Sequence, residues 1–113
     1  MNRDSEAMNR ARGADQIAEE ARRMASAAGV VPIGVTWDRG EQLVTKPSHI
    51  LEIFRGNAHA AAMFSDAELT CFPDRVTKVR TEVKLSAMVT DLVRRRAAAR
   101  AIASGKVPAD QGR

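Results

Sequence analysis

The chain has 113 residues and 44% of them are apolar, yet 20 are Ala, and Leu, Ile, Val and Phe together number 23. That leaves room for one domain with a thin core; it excludes a second core and makes a homodimer with a shared core the expected state. The formal charge of +4 is segregated: residues 31–74 hold three cations against six acids, and residues 75–113 hold ten cations against three acids.

A basic last third attracts anionic partners. Cys71 is the only cysteine, so no intrachain disulfide is possible and a reducing compartment is favoured. Met1 to Asp15 lack an apolar stretch of the signal-peptide kind, and no apolar run reaches membrane length. The expected location is the cytoplasm, without membrane association. The Ala and Arg usage is that of a bacterial or phage-encoded protein.

Residues 1–13 are polar, charged and without period, and read as a mobile arm. From Ala14 to Ala28 the residues Ile17, Ala21, Met24, Ala25 and Ala28 share one helical stripe. Glu19 and Glu20 precede Arg22 and Arg23, in agreement with the helix dipole, and Gly29 closes the helix. The period then becomes two. Val31, Ile33, Val35 and Trp37 alternate with Pro32, Gly34, Thr36 and Asp38, which predicts a strand. Asp38–Glu41 is turn chemistry, and Gln42–Thr45 is expected to return as the second strand of a hairpin.

Turn signals recur at Pro47-Ser48, Gly56-Asn57, Ser65-Asp66 and Pro73-Asp74, separating short segments that suggest an antiparallel meander. Residues 47–55 read equally as a strand or as a short helix capped by Gly56. Residues 66–72 are open in the same way, because Ser65-Asp66-Ala67-Glu68 matches a capping box. Thr77, Val79, Thr81, Val83 and Leu85 alternate with Lys78, Arg80, Glu82 and Lys84, which predicts a last strand with a basic outer face. Leu85, Met88, Val89 and Leu92 then switch to helical spacing, and a helix is expected from about Ser86 to Ser104, stopped by Gly105 and Pro108. The expected architecture is α+β: an antiparallel meander of about four to six short strands between an N-terminal helix and a basic C-terminal helix. The domain would span residues 14–105, with residues 106–113 as a flexible tail.

Four sets of residues were weighed as sites. Gly29-Val30-x-Pro32-x-x-Val35 resembles the turn of repressor-type helix-turn-helix DNA-binding domains, with Met24 and Ala25 at compatible offsets. The resemblance covers about twenty residues (20–39) and implies a DNA-reading helix; the strict alternation through Trp37 favours a strand instead. The second set is the basic end. Carried forward at helical spacing, the stripe Leu85-Met88-Val89-Leu92 meets Arg96 and Arg100, which cannot enter an apolar core unpaired. With Lys78, Arg80, Lys84, Arg94 and Arg95 they form the expected binding surface, and phosphate contact is weighed against a plain solvated helix end.

The third set is His49, His59 and Cys71, whose spacing matches no compact zinc pattern. Cys71 is expected to be a buried inert thiol and the histidines satisfied or exposed, with no metal and no cofactor. Asp38, Glu52 and Glu68 read as surface charges, and no phosphate loop or Ser-His-Asp signature is present. The fourth set, Trp37, Phe54, Phe64 and Phe72, is expected to anchor the core. The function these residues support is non-catalytic, regulatory or accessory binding of an anionic partner, nucleic acid first. The rival is an inhibitor or adaptor of the phage or mobile-element kind that occludes a host protein complex.

Overall fold

A computed structural model describes residues 3–31, 33–72 and 74–103. In chain order the elements are helix α1 (Arg3–Ala27), strand β1 (Gly34–Trp37), a 3₁₀ turn (Asp38–Gly40), strands β2 (Ser48–Arg55) and β3 (Ala58–Ser65), a short helix α2 (Asp66–Thr70) and a long helix α3 (Arg75–Ala103). The class is α+β, as composition and periodicity indicated. The sheet is antiparallel with order β1-β2-β3, three strands rather than four to six.

Each difference from the sequence reading has a physical cause. Of the expected mobile arm, residues 3–13 form the first turns of α1, where Arg10 is buried and bonded to Asp66. Gln42–Thr45 is not a strand; β1 pairs instead with β2, Val35 opposite Ile53 and Trp37 opposite Leu51. That pairing excludes a recognition helix at residues 34–37 and with it the helix-turn-helix. Residues 47–55 resolve as strand, and Asp66–Thr70 as helix with both hydrogen bonds of its capping box in place.

The largest correction is the expected last strand. Residues 77–85, with Lys78, Arg80 and Lys84, lie inside α3. Their alternation is real, but only part of it is buried. Thr81 and Leu85 are fully buried four residues apart and continue into Met88, Val89 and Leu92, while Val76, Val79 and Val83 are exposed. A helix buries that 4-3-1-3 spacing along one stripe, whereas a strand would turn Met88 away from Leu85. The tail (106–113) lies outside the described residues.

One face of the sheet makes the core. His49, Leu51 and Ile53 of β2 lie opposite Phe64, Ala62 and Ala60 of β3, and this face packs with Ala14, Ile17, Ala21 and Ala25 of α1 and the α3 stripe in a single cluster. Trp37 is edge-on to Phe64 at 5.5 Å between ring centroids and donates its indole N–H to the Ala14 carbonyl at 3.1 Å. The other sheet face carries Ile50, Phe54 and Met63, with Phe54 and Met63 exposed. Phe54 therefore does not anchor the core; its ring covers Gly34 across the strand pair.

Geometry requires glycine at positions 29 and 13. Gly29 sits at φ 84 and ends α1, where Val30 N–H bonds the Ala25 carbonyl at 2.8 Å, so the last turn is closed by a left-handed residue. Gly13, in mid-helix, lets α1 touch α2: a Cβ there would lie 1.8 Å from the Leu69 carbonyl oxygen.

Candidate functional site

The long helix α3 spans about 43 Å at the ordinary helical rise, and its cations fall into two groups. Among the proximal ones, Lys84 is answered by this chain. Lys84 donates from Nζ to Glu68 Oε1 at 2.7 Å and to the Met63 carbonyl at 2.8 Å, and lies 4.7 Å from the Phe64 ring centroid. It ties α3 to α2 and β3. Lys78 shares the α1–α3 cleft with Glu20, Arg23 and Glu82, where both charge signs meet. Arg80 stays exposed beside Val79 and Val83.

The distal group is different. Arg94, Arg95, Arg96 and Arg100 fall within two turns of one helix, and Arg95 meets Asp91 Oδ2 at 3.0 Å. Among the described residues neither Arg94 nor Arg96 forms an ion pair. The stripe argument from sequence is upheld here: Leu92 is buried, Arg96 is half-buried and Arg100 is exposed, so the helix leaves the core between Leu92 and Arg100. Arg96 and Arg100 border a cleft of about 390 Å³ whose opposite wall is the β2–β3 turn with Arg55. Sequence reasoning passed over Arg55, because nothing in a linear reading places residue 55 beside residues 96 and 100.

A second constellation was also missed. Asp38, expected as a surface charge, is buried, and His49, expected to be satisfied or exposed, is buried and satisfied. His49 Nδ1 lies at hydrogen-bond distance from Asp38 Oδ2 and Nε2 from Asp66 Oδ1, each at 2.7 Å. Asp66 also accepts a bidentate pair from Arg10, Nε to Oδ1 at 2.6 Å and Nη2 to Oδ2 at 3.0 Å, and Arg10 Nη2 donates to Thr45 Oγ1 at 3.0 Å. Asp38 Oδ1 accepts the Ile50 N–H at 2.8 Å, and Lys46 Nζ lies 3.1 Å from Oδ2.

This network joins α1, the 3₁₀ turn, β2 and α2 in one buried unit. Asp38 and Arg39 hold φ of 49° and 59°, the left-handed region that Asp tolerates better than most residues, and the carboxylate bonds keep the turn there. Burial opposes ionisation of Asp38, but hydrogen bonds from His49, Ile50 and Lys46 outweigh it and leave its pKa below the ordinary value. For Asp66 the Arg10 hydrogen bond is the main lowering cause, opposed by burial and assisted by His49. Glu68 is lowered as well: burial resists, and Lys84 and the Ser65 N–H prevail. With both ring nitrogens engaged, His49 has none left for a substrate proton.

The remaining candidates are placed apart. His59 is exposed on the outer sheet face and Cys71 is exposed at the end of α2, not buried as its apolar neighbours suggested. No group of three or more potential ligands that could hold a metal ion occurs among the described residues. No described helix is long and apolar enough to cross a membrane. Compared with known protein families, with curated proteins and with solved structures, the chain matches none.

Proposed function

We propose that this protein is a non-catalytic, regulatory or accessory binding protein that engages nucleic acid through the distal half of α3. The observation that carries the reading is the cluster Arg94-Arg95-Arg96-Arg100, four guanidinium groups in two turns, of which Arg94 and Arg96 form no ion pair among the described residues. Such a cluster on an exposed helix is suited to the phosphate backbone, which Arg meets with paired donors. Of the seven residues expected from sequence, Arg94, Arg95, Arg96 and Arg100 form the principal surface. Arg80 and Lys78 are peripheral to it, and Lys84 is structural.

The second part of the reading is a homodimer. Val76, Val79 and Val83 are more than half exposed on α3, and a chain so poor in large apolar side chains gains most by covering them with a second copy. Binding to mixed-sequence duplex DNA, measured from 50 to 300 mM salt, tests the nucleic-acid part. Affinity should fall steeply, with a log–log slope near −0.9 per phosphate contacted. Salt-independent binding would favour the rival protein inhibitor or adaptor, because a fitted protein interface with an apolar centre tolerates salt.

A further inference from the structure

The β2–β3 hairpin closes with Gly56-Asn57, Gly56 taking φ 60 at the first loop position, which is the requirement of a tight two-residue turn that continues the sheet twist. Because Arg55 pairs with Ala58 across this turn, its position lies on the helix-facing side of the sheet, in line with Ile53 and Leu51. The apolar cover of that face ends at Leu92, one turn before Arg96. The cleft of about 390 Å³ that results is lined by Arg55, Gly56 and Asn57 on one side and by Arg96, Ala99 and Arg100 on the other. Among the described residues no carboxylate lines it. The α1–α3 cleft, by contrast, contains Glu20 and Glu82 facing Arg23 and Lys78 and neutralises itself.

We propose that the cleft between the β2–β3 turn and the distal half of α3 is a seat for a single phosphate group of the nucleic-acid backbone, held by Arg55 together with Arg96. This rests on the nucleic-acid reading and adds to it a fixed point of contact on a second element. Cations converging from two rigid elements hold an anion at one place, whereas four arginines on one helix only supply a charged rod. A seat of this kind sets the register of α3 on the duplex without reading bases. Asn57 contributes a neutral amide donor to the same opening, and the small side chain of Ala99 leaves the floor open.

The test uses the full chain and a mixed-sequence duplex. Arg55→Gln should keep the melting temperature near that of the parent, bind roughly tenfold more weakly, as expected for one charge-assisted hydrogen bond, and lose about one unit of salt slope. Arg55→Lys should recover most of the slope. Ala99→Glu and Ala98→Glu carry the same added charge on adjacent helix positions, and only Ala99 lines the cleft; Ala99→Glu should weaken binding at least tenfold more than Ala98→Glu. Should Arg55→Gln fail to fold, this pair decides the matter alone. Equal weakening by the two Glu variants, or an unchanged slope in folded Arg55→Gln, overturns the seat. If Arg94→Gln with Arg95→Gln still weakens binding in that case, the nucleic-acid reading survives without it. A parent protein that shows no salt-dependent duplex binding overturns both.

Discussion

At the residue scale, the side chains that matter most to this fold are charged and buried. Asp38 has almost no exposed surface yet meets His49, Lys46 and the Ile50 N–H. Asp38→Ala is expected to destabilise the protein by about 3–5 kcal/mol, the cost of leaving one side of a buried ionic network unanswered. Urea unfolding at pH 7 measures it, and a loss under about 1 kcal/mol would show that the network contributes little. Trp37→Ala is the apolar counterpart. It removes the edge-on contact with Phe64 and the bond to Ala14, and about 3 kcal/mol of stability should go with them.

At the element scale, the contact between α1 and α2 depends on Gly13. In an isolated helix Gly13→Ala would be favourable by about 1 kcal/mol. Here the added methyl would collide with the Leu69 carbonyl, so the two helices must separate and strain the Arg10–Asp66 pair beside them. The expected result is a lower melting temperature despite higher intrinsic helicity. Thermal denaturation followed by circular dichroism distinguishes the two, since an increase would mean that α2 can shift at no cost. For α3, Val79→Lys with Val83→Lys alters only exposed positions. In sedimentation the double variant should run as a 12.3 kDa species, whereas the parent should run as a dimer. A parent that is monomeric at micromolar concentration removes the dimer from the proposal.

At the scale of the whole molecule, four carboxylates with depressed pKa values, Asp38, Asp66, Glu68 and the Arg23-paired Glu20, link stability to pH. A folded pKa below the unfolded one means extra protons are bound on unfolding, so stability rises with pH through that window. The contribution is complete above the unfolded values, about 3.9 for Asp and 4.3 for Glu, and is lost as pH falls through the folded values. Urea midpoints should therefore be level from pH 7 to 5 as far as these carboxylates are concerned, then drop steeply below pH 4. The drop should be shallower in Asp66→Asn. A midpoint that does not move between pH 5 and 2.5 would contradict the depressed carboxylates.

Much of the fold was legible from local chemistry. The α1 stripe, its Gly29 stop, the period-two run into Trp37, the Ser65–Glu68 capping box and the emergence of Arg96 from the α3 stripe are short-range patterns, set by backbone sterics and by the alternation of apolar with polar residues. So was the segregation of positive charge into the last third, since charge is additive along the chain. Other features were decided only by folding in three dimensions. Thr77–Leu85 alternates like a strand, and its β-branched residues suit one, but the stripe Thr81-Leu85-Met88-Val89-Leu92 buries along a helix against the sheet and α1. Burial of a continuous stripe outweighed local propensity. Asp38, His49, Asp66 and Arg10 are separated by up to 56 residues, so no spacing rule could collect them. Their partners, which turn costly buried charges into a stable unit, exist only once α1, β2 and α2 meet. Arg55 joins Arg96 and Arg100 for the same reason: sheet register and the path of a helix set the distance between charges, and neither is written in the order of the residues.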